Sequence, residues 1–281
     1  MAEVKIVTDS TAYLPAELIA RYGIRVIPLK VLFGPEAYAE GVDISNGEFY
    51  GKLMEASTLP TTSQPSVGDF LQVYGEADRE AVSILSIHIS SKLSATVSTA
   101  LTAKSELPQS QIEIVDSLST SMGLGMVVLA AARAADEGQP LSQIRASCEK
   151  LIRSMNVFFV VDTLEYLHKG GRIGGAAALL GTVLRIKPLL YLKEGQIEVL
   201  AKVRTKRRAL KRLLELVEER VPEGTSVHAA VLHAQAAEEA LALEKEVRAR
   251  FNCAEMYLSE LGPVIGTHVG PQAIGLAFYT D

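Results

Sequence analysis

Hydroxyl side chains crowd two short segments of this chain, and each segment lies directly before a helix pattern. The segments are Thr61-Thr62-Ser63-Gln64-Pro65-Ser66 and Ser90-Ser91-Lys92-Leu93-Ser94-Ala95-Thr96. A helix N-terminus attracts carboxylates and phosphates because its N–H groups lack partners and its dipole is positive there. The hydroxyls therefore predict an anion site. A capped turn with spare hydroxyls is the alternative, although capping needs one hydroxyl and the second segment supplies four.

The first segment opens an amphipathic helix. Ser66 and Asp69 have the spacing of a capping box, in which each side chain bonds the other residue's backbone N–H. Apolar residues then recur at the spacing of a helix that buries one face: Val67, Phe70, Leu71 and Tyr74. This pattern places the hydroxyls of Thr62 and Ser63 at a helix N-terminus.

Two strand patterns also end in polar residues. The strand Val4 to Thr8 ends in Asp9-Ser10-Thr11, and the strand Ile112 to Val115 ends in Asp116-Ser117. Ligands of open α/β sheets bind outside the carboxyl ends of the strands, so these ends and the hydroxyl segments together predict one oxygen-rich site. Simple helix capping is an adequate explanation for Asp9 and Asp116.

The elements between these segments predict the fold. The strand Val4 to Thr8, the helix Pro15 to Tyr22 and the strand Arg25 to Leu32 form a βαβ unit. Such a unit favours a parallel sheet that is covered by helices on both faces. We interpret Phe33 to Val42 as a loop and Ala81 to Ile87 as a further strand.

A chain of 281 residues favours two domains. We place the boundary near the strand Asn156 to Asp162. The prediction is an α/β protein with an N-terminal three-layer α/β/α domain over residues 1–159, built on a mainly parallel sheet. A C-terminal two-layer α/β domain with a mixed sheet follows over residues 160–281, and it includes a hairpin across Glu194-Gly195-Gln196.

The second domain carries a glycine-rich turn and an isolated histidine. The turn, residues 164–175, lacks both GxGxxG and the P-loop spacing, so tight helix packing is favoured over phosphate binding. His268 lies between Gly266 and Gly270, where small neighbours let a ligand approach closely. His88 and His228 fall inside strand patterns, and we predict packed or surface positions for both.

Composition excludes several classes of function. The 28 Lys and Arg against 33 Asp and Glu give a net charge of -5, which argues against a general nucleic-acid binder. Cys148 and Cys253 are isolated, so we predict neither a disulfide nor a metal site, and Cys148 is predicted to be inert packing. No cofactor is predicted. The N-terminus lacks a signal-peptide core and no apolar run approaches the ~20 residues of a membrane span, so we predict a cytoplasmic protein.

One helix pattern and its approach concentrate positive charge on this acidic chain. The basic residues are Lys202, Arg204, Lys206, Arg207, Arg208, Lys211 and Arg212. Such a patch predicts contact with a partner protein, an anionic lipid surface or nucleic acid, and a solvated helix face is an equal alternative. Nucleic acid comes last, because no aromatic residues are interleaved with the charges.

Several motifs in one order make the chain resemble the DegV family from residue 4 to the C-terminus. The motifs are Thr-Asp-Ser at 8–10, Thr-Thr-Ser-Gln-Pro-Ser at 61–66, Ser-Ser-Lys-Leu-Ser-Ala-Thr at 90–96, Gly-Gly-Arg-Ile at 170–173, Ile-Lys-Pro at 186–188 and Gly-Thr-His-Val-Gly-Pro at 266–271. The resemblance implies a two-domain α/β protein that binds a long-chain fatty acid. Some members are the fatty-acid-binding subunits of bacterial fatty acid kinase, which serves phospholipid metabolism.

The resemblance also implies residue roles. The lipid carboxylate would meet Thr62, Ser94 and His268, and the acyl chain would be buried between or within the domains. We add Ser63 to this site, because its hydroxyl is a further possible donor to the carboxylate. A separate ATP-dependent kinase would then phosphorylate the carboxylate, so this chain would not itself be an enzyme. The basic patch, with Arg204, Arg207 and Arg208, would dock that kinase or an anionic membrane surface, and so would Arg172.

Two residues depart from the family pattern, in which glycine is usual at both positions. Ala95 would be strained if its position needs a positive φ, and Gln272 follows Gly270-Pro271. The competing hypothesis for function is an enzyme, either a phosphotransferase or a Ser-His hydrolase that uses Ser94 and His268. The chain has no GxSxG elbow of the kind that hydrolases of this type carry.

Overall fold

A computed structural model describes residues 3–79, 82–180 and 187–280. The chain divides into two compact units, one of Met1–Ile44 with Thr62–Arg153 and the other of Ser45–Thr61 with Ser154–Asp281. The domain boundaries predicted from the sequence, 1–159 and 160–281, stay a prediction. Ala81 of a predicted strand and Ile186 of the Ile-Lys-Pro motif lie outside the described residues.

The described segments form strands and helices that alternate along most of the chain. The strands are β1 (Val4–Asp9), β2 (Arg25–Ile27), β3 (Lys30–Phe33), β4 (Glu36–Ala39), β5 (Thr61–Ser63), β6 (Ser83–His88), β7 (Ile112–Asp116), β8 (Asn156–Val160), β9 (Lys187–Lys193), β10 (Gln196–Val203), β11 (Val227–His233), β12 (Cys253–Glu260) and β13 (Ile274–Thr280). The helices are α1 (Ala16–Tyr22), α2 (Asn46–Glu55), α3 (Val67–Arg79), α4 (Thr96–Ser105), α5 (Ser121–Asp136), α6 (Leu141–Ser154), α7 (Glu165–Lys169), α8 (Lys206–Glu218), α9 (Ala237–Arg250) and α10 (Pro263–Val269).

The first unit is built on a four-stranded sheet in the order β2-β1-β6-β7, in which every pairing is parallel. Alternate residues of these strands, such as Val7 and Ile84, pack against Phe70 and Tyr74 of α3. Helix α5 packs against β1 and β6. Because parallel sheets need cover on both faces, this arrangement confirms the predicted three-layer α/β/α fold.

Two local predictions for this unit were wrong. The predicted strand Arg25 to Leu32 is broken after Ile27, because Pro28 has no N–H to continue the ladder, and the chain resumes as β3. The predicted loop Phe33 to Val42 contains β4, which pairs antiparallel with β3 across a turn at Gly34. Together with β5, these strands form a separate three-stranded sheet in the order β4-β3-β5.

The second unit contains a six-stranded sheet in the order β10-β9-β8-β13-β11-β12. Only the β11–β12 pairing is parallel among these strands, so the sheet is mixed, as predicted. Helices α8 and α9 cover one face, where Leu213, Leu243 and Val231 share a core with Phe158 and Phe278. The predicted hairpin is also confirmed, since Glu194 and Gly195 have φ values of 49° and 82° and form its tight turn.

Candidate functional site

The hydroxyls of Thr62 and Ser63 lie in a strand. Both residues belong to β5 and are partly buried, so the prediction that they lie at a helix N-terminus was wrong. The capping box itself is confirmed, because Ser66 N donates to Asp69 Oδ2 at 2.7 Å and Asp69 N donates to Ser66 Oγ at 3.2 Å. Pairing with β3 holds the backbone of Thr62 and Ser63 in an extended conformation. Ser66 is the residue that caps the start of α3.

Ser94 lies in the turn that leads into α4. Its hydroxyl accepts a hydrogen bond from Thr96 N at 3.3 Å and shares a second one, 2.8 Å long, with Thr96 Oγ1. Ser94 is partly buried, whereas Thr96 is fully buried. Ala95 has φ −79°, so glycine is not needed here and the extra methyl group introduces no backbone strain.

The loops that follow β6 and β7 are bonded to each other at the carboxyl edge of the four-stranded sheet. Ser90 N donates to the carbonyl of Ser119 at 2.8 Å, and Ser91 N donates to Asp116 Oδ1 at 3.2 Å. Asp116 also accepts from Leu118 N at 3.0 Å, so it ties two loops together. Hydrogen bonds therefore hold the backbone of these hydroxyl-bearing loops in place, and the single oxygen-rich site that the strand-end pattern predicts stays a prediction.

A buried polar network lies below this edge and was missed in the sequence. Asp9 Oδ2 is 3.1 Å from His88 Nδ1, and His88 Nε2 is 2.7 Å from Ser86 Oγ. Tyr74 donates its hydroxyl to Ser86 at 2.8 Å. Since a carboxylate only accepts, the His88 proton is assigned to Nδ1 and Ser86 donates to Nε2. Burial raises the pKa of Tyr74, which keeps its proton.

Asp9 joins this network to the backbone on both sides. Its Oδ1 accepts from Thr11 N at 3.1 Å and from Thr11 Oγ1 at 2.5 Å, while Oδ2 also accepts from Ile89 N at 2.9 Å. The order Asp9, His88, Ser86 is that of a hydrolase triad, but all three are completely buried and no substrate could reach Ser86. The network fixes the carboxyl ends of β1 and β6, where the hydroxyl-bearing loops begin.

In the second unit, His268 lies on α10 and is 9% exposed. A Cβ atom at Gly170 would overlap its Nδ1, so the Gly-Gly-Arg motif leaves room for the imidazole. Arg172 donates to the carbonyl of Gly170 at 2.7 Å. Burial, and then the positive charge of Arg172, lowers the pKa of His268 to about 4. The structure thus brings together two motifs that lie far apart in the sequence.

Helix α10 rests closely on α2. A Cβ atom at Gly266 would lie 2.7 Å from Tyr50 Oη and 2.8 Å from Phe49 Cε1, so glycine permits this approach. Tyr50 donates its hydroxyl to the carbonyl of Leu261 at 2.8 Å, just before α10 begins. These contacts fix the helix that carries His268.

Gln272, one of the two residues that depart from the family pattern, has an unusual backbone conformation. It has φ 65°, a left-handed conformation that favours glycine. Two hydrogen bonds hold it there: its N–H donates to the carbonyl of Ala234 at 2.7 Å and its Nε2 donates to the carbonyl of Gln235 at 2.6 Å. The side-chain bond offsets part of the strain that a missing glycine introduces.

The predicted basic patch is confirmed only as a surface feature. Lys206 pairs with Glu239, and Arg212 pairs with Glu215 and Glu219. Three arginines, Arg204, Arg207 and Arg208, are exposed and form no ion pair with any carboxylate that the structure describes. These three side chains are therefore exposed positive charges of this unit, as is Lys202.

Cys148 is buried, and burial raises the pKa of its thiol to about 12, which confirms an inert packing role.

Across residues 3–79, 82–180 and 187–280, no helix is long and apolar enough to cross a membrane. The same ranges contain no group of three or more His, Cys, Asp or Glu side chains arranged to hold a metal ion.

Comparisons with known proteins cover almost the whole chain. A family model described as "Uncharacterised protein, DegV family" matches residues 3–281. A DegV family protein from Thermus thermophilus, whose structure is described as showing fatty acid binding, is 41% identical with a TM-score of 0.94, over 99% of this chain and 100% of that one.

Two further structures are similar over comparable lengths. DegV of Bacillus subtilis, described as a fatty acid binding protein, is 34% identical with a TM-score of 0.92 and covers 100% of both chains. A stearic acid-binding protein from Eubacterium ventriosum is 26% identical with a TM-score of 0.92, over 99% of this chain and 98% of that one. With the family model matched from residue 3 to residue 281, the chain belongs to the DegV family.

Proposed function

We propose that this protein binds a long-chain fatty acid and holds its carboxylate with Thr62, Ser63, Ser94 and His268. The observation that carries the proposal is the full-length similarity to proteins described as fatty acid binding, one of them at 41% identity. The partly buried hydroxyls of Thr62, Ser63 and Ser94 support it, because they are donors suited to a carboxylate.

Burial of the acyl tail of such a ligand is favourable, whereas burial of its carboxylate head group costs free energy. Burying a tail of about fourteen methylenes gains about 11 kcal/mol before association entropy is subtracted, at about 0.8 kcal/mol per CH₂. The ionised head loses its hydration on burial and needs charge-assisted hydrogen bonds in return. Thr62, Ser63 and Ser94 supply neutral donors for this purpose.

His268 is the proposed hydrogen-bond donor to the carboxylate from the second unit. With a pKa of about 4, the imidazole is neutral near pH 7 and can donate one N–H. Its charged neighbour is Arg172, a cation, so an incoming carboxylate would be attracted to this part of the second unit. A bound carboxylate would in turn raise the pKa of His268.

The test is to remove lipid, reload the protein with labelled palmitate and measure stoichiometry and affinity. Wild-type protein should take up one palmitate, and Thr62→Val and Ser94→Ala should each weaken binding about ten- to a hundredfold, the effect of losing a hydrogen bond to a charged group. Thr102→Val is a matched control, because the Thr102 hydroxyl is exposed on α4 and donates only to the carbonyl of Ser98. A folded apoprotein that takes up no acyl chain would refute the proposal.

The bound acid is proposed to be the substrate of a separate ATP-dependent kinase. There, a carboxylate oxygen attacks the γ-phosphorus of ATP, the bond to the bridging oxygen breaks, and acyl phosphate and ADP result. This chain binds and presents the acid, and the kinase catalyses. Turnover of an acyl ester by the chain alone, abolished in Ser94→Ala, would contradict this division.

The exposed arginines are the proposed docking surface for that kinase, together with Arg172. A double charge reversal, Arg204→Glu with Arg208→Glu, should slow acyl phosphate formation in a reconstituted reaction while palmitate affinity is unchanged, because electrostatic attraction accelerates association. A flotation assay with phosphatidylglycerol vesicles gives the second arm. Lost vesicle binding with unchanged phosphorylation would assign the surface to the membrane instead.

A further inference from the structure

The N-terminus of α5 has features of a ligand site that no sequence motif indicated. This helix of 16 residues starts at the carboxyl edge of the four-stranded sheet, directly after the loop from β7. Thr120 precedes its first turn, and its side chain makes no capping hydrogen bond. The partial positive charge of this helix end is therefore not offset by the usual hydroxyl cap.

Two hydroxyls at this helix end are buried without a partner. Thr120 Oγ1 and Ser121 Oγ have no hydrogen-bond partner among the residues that the structure describes. Ser121, the first residue of α5, is only 2% exposed. Buried polar groups are almost always paired, because an unpaired one loses its hydration without compensation. An acceptor atom of a bound ligand would satisfy both hydroxyls.

Hydrogen bonds connect this helix end to the turn that carries Ser94. Ser119 accepts from Ser90 N at 2.8 Å, and Ser117 N donates to the carbonyl of His88 at 3.1 Å. The loop that leads into α5 and the hydroxyl segment 90–96 are therefore neighbours within the first unit. The nearest acidic group on that loop, Asp116, already accepts from Ser91 N and Leu118 N.

We propose that Thr120 and Ser121 donate hydrogen bonds to an oxygen of the fatty acid carboxylate, so that the N-terminus of α5 is part of the head-group site. The available groups are hydroxyl and backbone N–H donors at a positive helix end, and an anionic oxygen is the acceptor that suits all of them. This inference rests on the proposed function, and it adds two binding residues that lie outside the family motifs quoted above.

The test uses two variants that remove a hydroxyl without disturbing the fold. Ser121 has φ 55°, so Ser121→Gly removes the hydroxyl and also relaxes the backbone. Thr120→Val keeps the shape of the side chain. Leu118→Gly is the matched control, since Leu118 has φ 49°, is exposed and has no hydroxyl. Each protein is assayed with palmitate and with hexadecanol, which has the tail but no carboxylate.

We expect Ser121→Gly and Thr120→Val to weaken palmitate binding about ten- to a hundredfold. Hexadecanol affinity should be unchanged, and the melting temperature of the apoprotein should be unchanged or higher, because an unpaired buried hydroxyl has been removed. Leu118→Gly should bind palmitate like the wild type. Equal palmitate affinity in all variants, with a wild type that binds palmitate, would overturn this inference and leave the proposed function intact. Parallel loss of both ligands and of thermal stability would reveal a structural role and overturn it too.

Discussion

Two buried histidines, His88 in the first unit and His268 in the second, differ in their partners. His88 is fully buried and lies between a carboxylate and a hydroxyl, at 3.1 Å from Asp9 and 2.7 Å from Ser86. His268 is 9% exposed, and the charge that acts on it is that of Arg172. The first histidine has its anion within the protein, whereas the second has a cation for a neighbour.

Since both histidines are buried but have different neighbours, burial alone does not identify a functional histidine. A carboxylate that is built into the fold fixes the tautomer and orientation of an imidazole, and the pair then serves as a structural support. At His268, burial and the nearby guanidinium of Arg172 instead lower the pKa and keep the imidazole neutral near pH 7. The contrast therefore indicates a structural role for His88, whereas the ligand role of His268 stays a proposal.

Asp9→Asn should have the largest effect and would test the structural half of the comparison. The amide offers one acceptor oxygen in place of two, which leaves buried donors from His88 and Ile89 without an acceptor. We expect the free energy of unfolding to fall by about 3–5 kcal/mol, measured by urea denaturation. Asp136→Asn, at the exposed end of α5, is the control and should cost little. A loss below about 1 kcal/mol for Asp9→Asn would mean that the network is not a main support of this unit.

Acid should destabilise the protein through His268, and this prediction tests the other half. The folded pKa of about 4 lies below the ordinary value of 6.5, so the unfolded chain binds the proton first as the pH falls. The stability due to a neutral His268 is thus complete above about pH 6.5 and is lost as the pH falls toward 4. Between pH 7 and pH 5 the loss amounts to about 2 kcal/mol.

His268→Gln isolates this contribution from other groups that titrate in acid. Denaturation of wild type and variant at both pH values should show a smaller pH dependence in the variant. The same slope in both proteins would contradict the burial of a neutral imidazole. Palmitate should also flatten the wild-type profile, since a bound carboxylate raises the pKa of His268.

Gly170→Ala should have an effect of similar size to that of acid and would sharpen the comparison. The new methyl group overlaps His268 Nδ1 and displaces the imidazole, at a cost of about 1–3 kcal/mol. Palmitate affinity should fall as well, whereas the His88 network is unaffected. Gly51→Ala is the matched control: a Cβ atom at Gly51, in α2, meets nothing within 4 Å and should raise stability slightly. If Gly170→Ala keeps the palmitate affinity of the wild type, His268 does not bind the carboxylate.

Much of the fold was predictable because the periodicity of hydrophobic residues indicates helices and strands locally. The parallel sheet of the first unit, the mixed sheet of the second and the hairpin at Glu194 each follow from short-range patterns. The errors arose where one residue decides the outcome. Pro28 interrupts a strand pattern that hydrophobicity alone would continue, and the β3–β4 turn at Gly34 forms within a segment interpreted as a loop.

The candidate site was only partly predictable. Hydroxyl clusters and ordered motifs marked Thr62, Ser63, Ser94 and His268, and their roles stay a prediction. No pattern indicated Ser121, because an unpaired buried hydroxyl is a property of its surroundings. The sequence marked Gln272 as a departure from the family's usual glycine. The structure explains why glycine is usual there, because the backbone at this position has a positive φ of 65°.

The sequence by itself determined the class of fold and the family, because hydrophobic periodicity and the order of the motifs can both be read along the chain. Tertiary structure alone decided that His88 lies beside a carboxylate. Asp9 and His88 are 79 residues apart, and Gly170 meets a histidine on a distant helix. Contacts of this kind leave no periodic signal, since strand pairing and helix packing create them only when the chain folds.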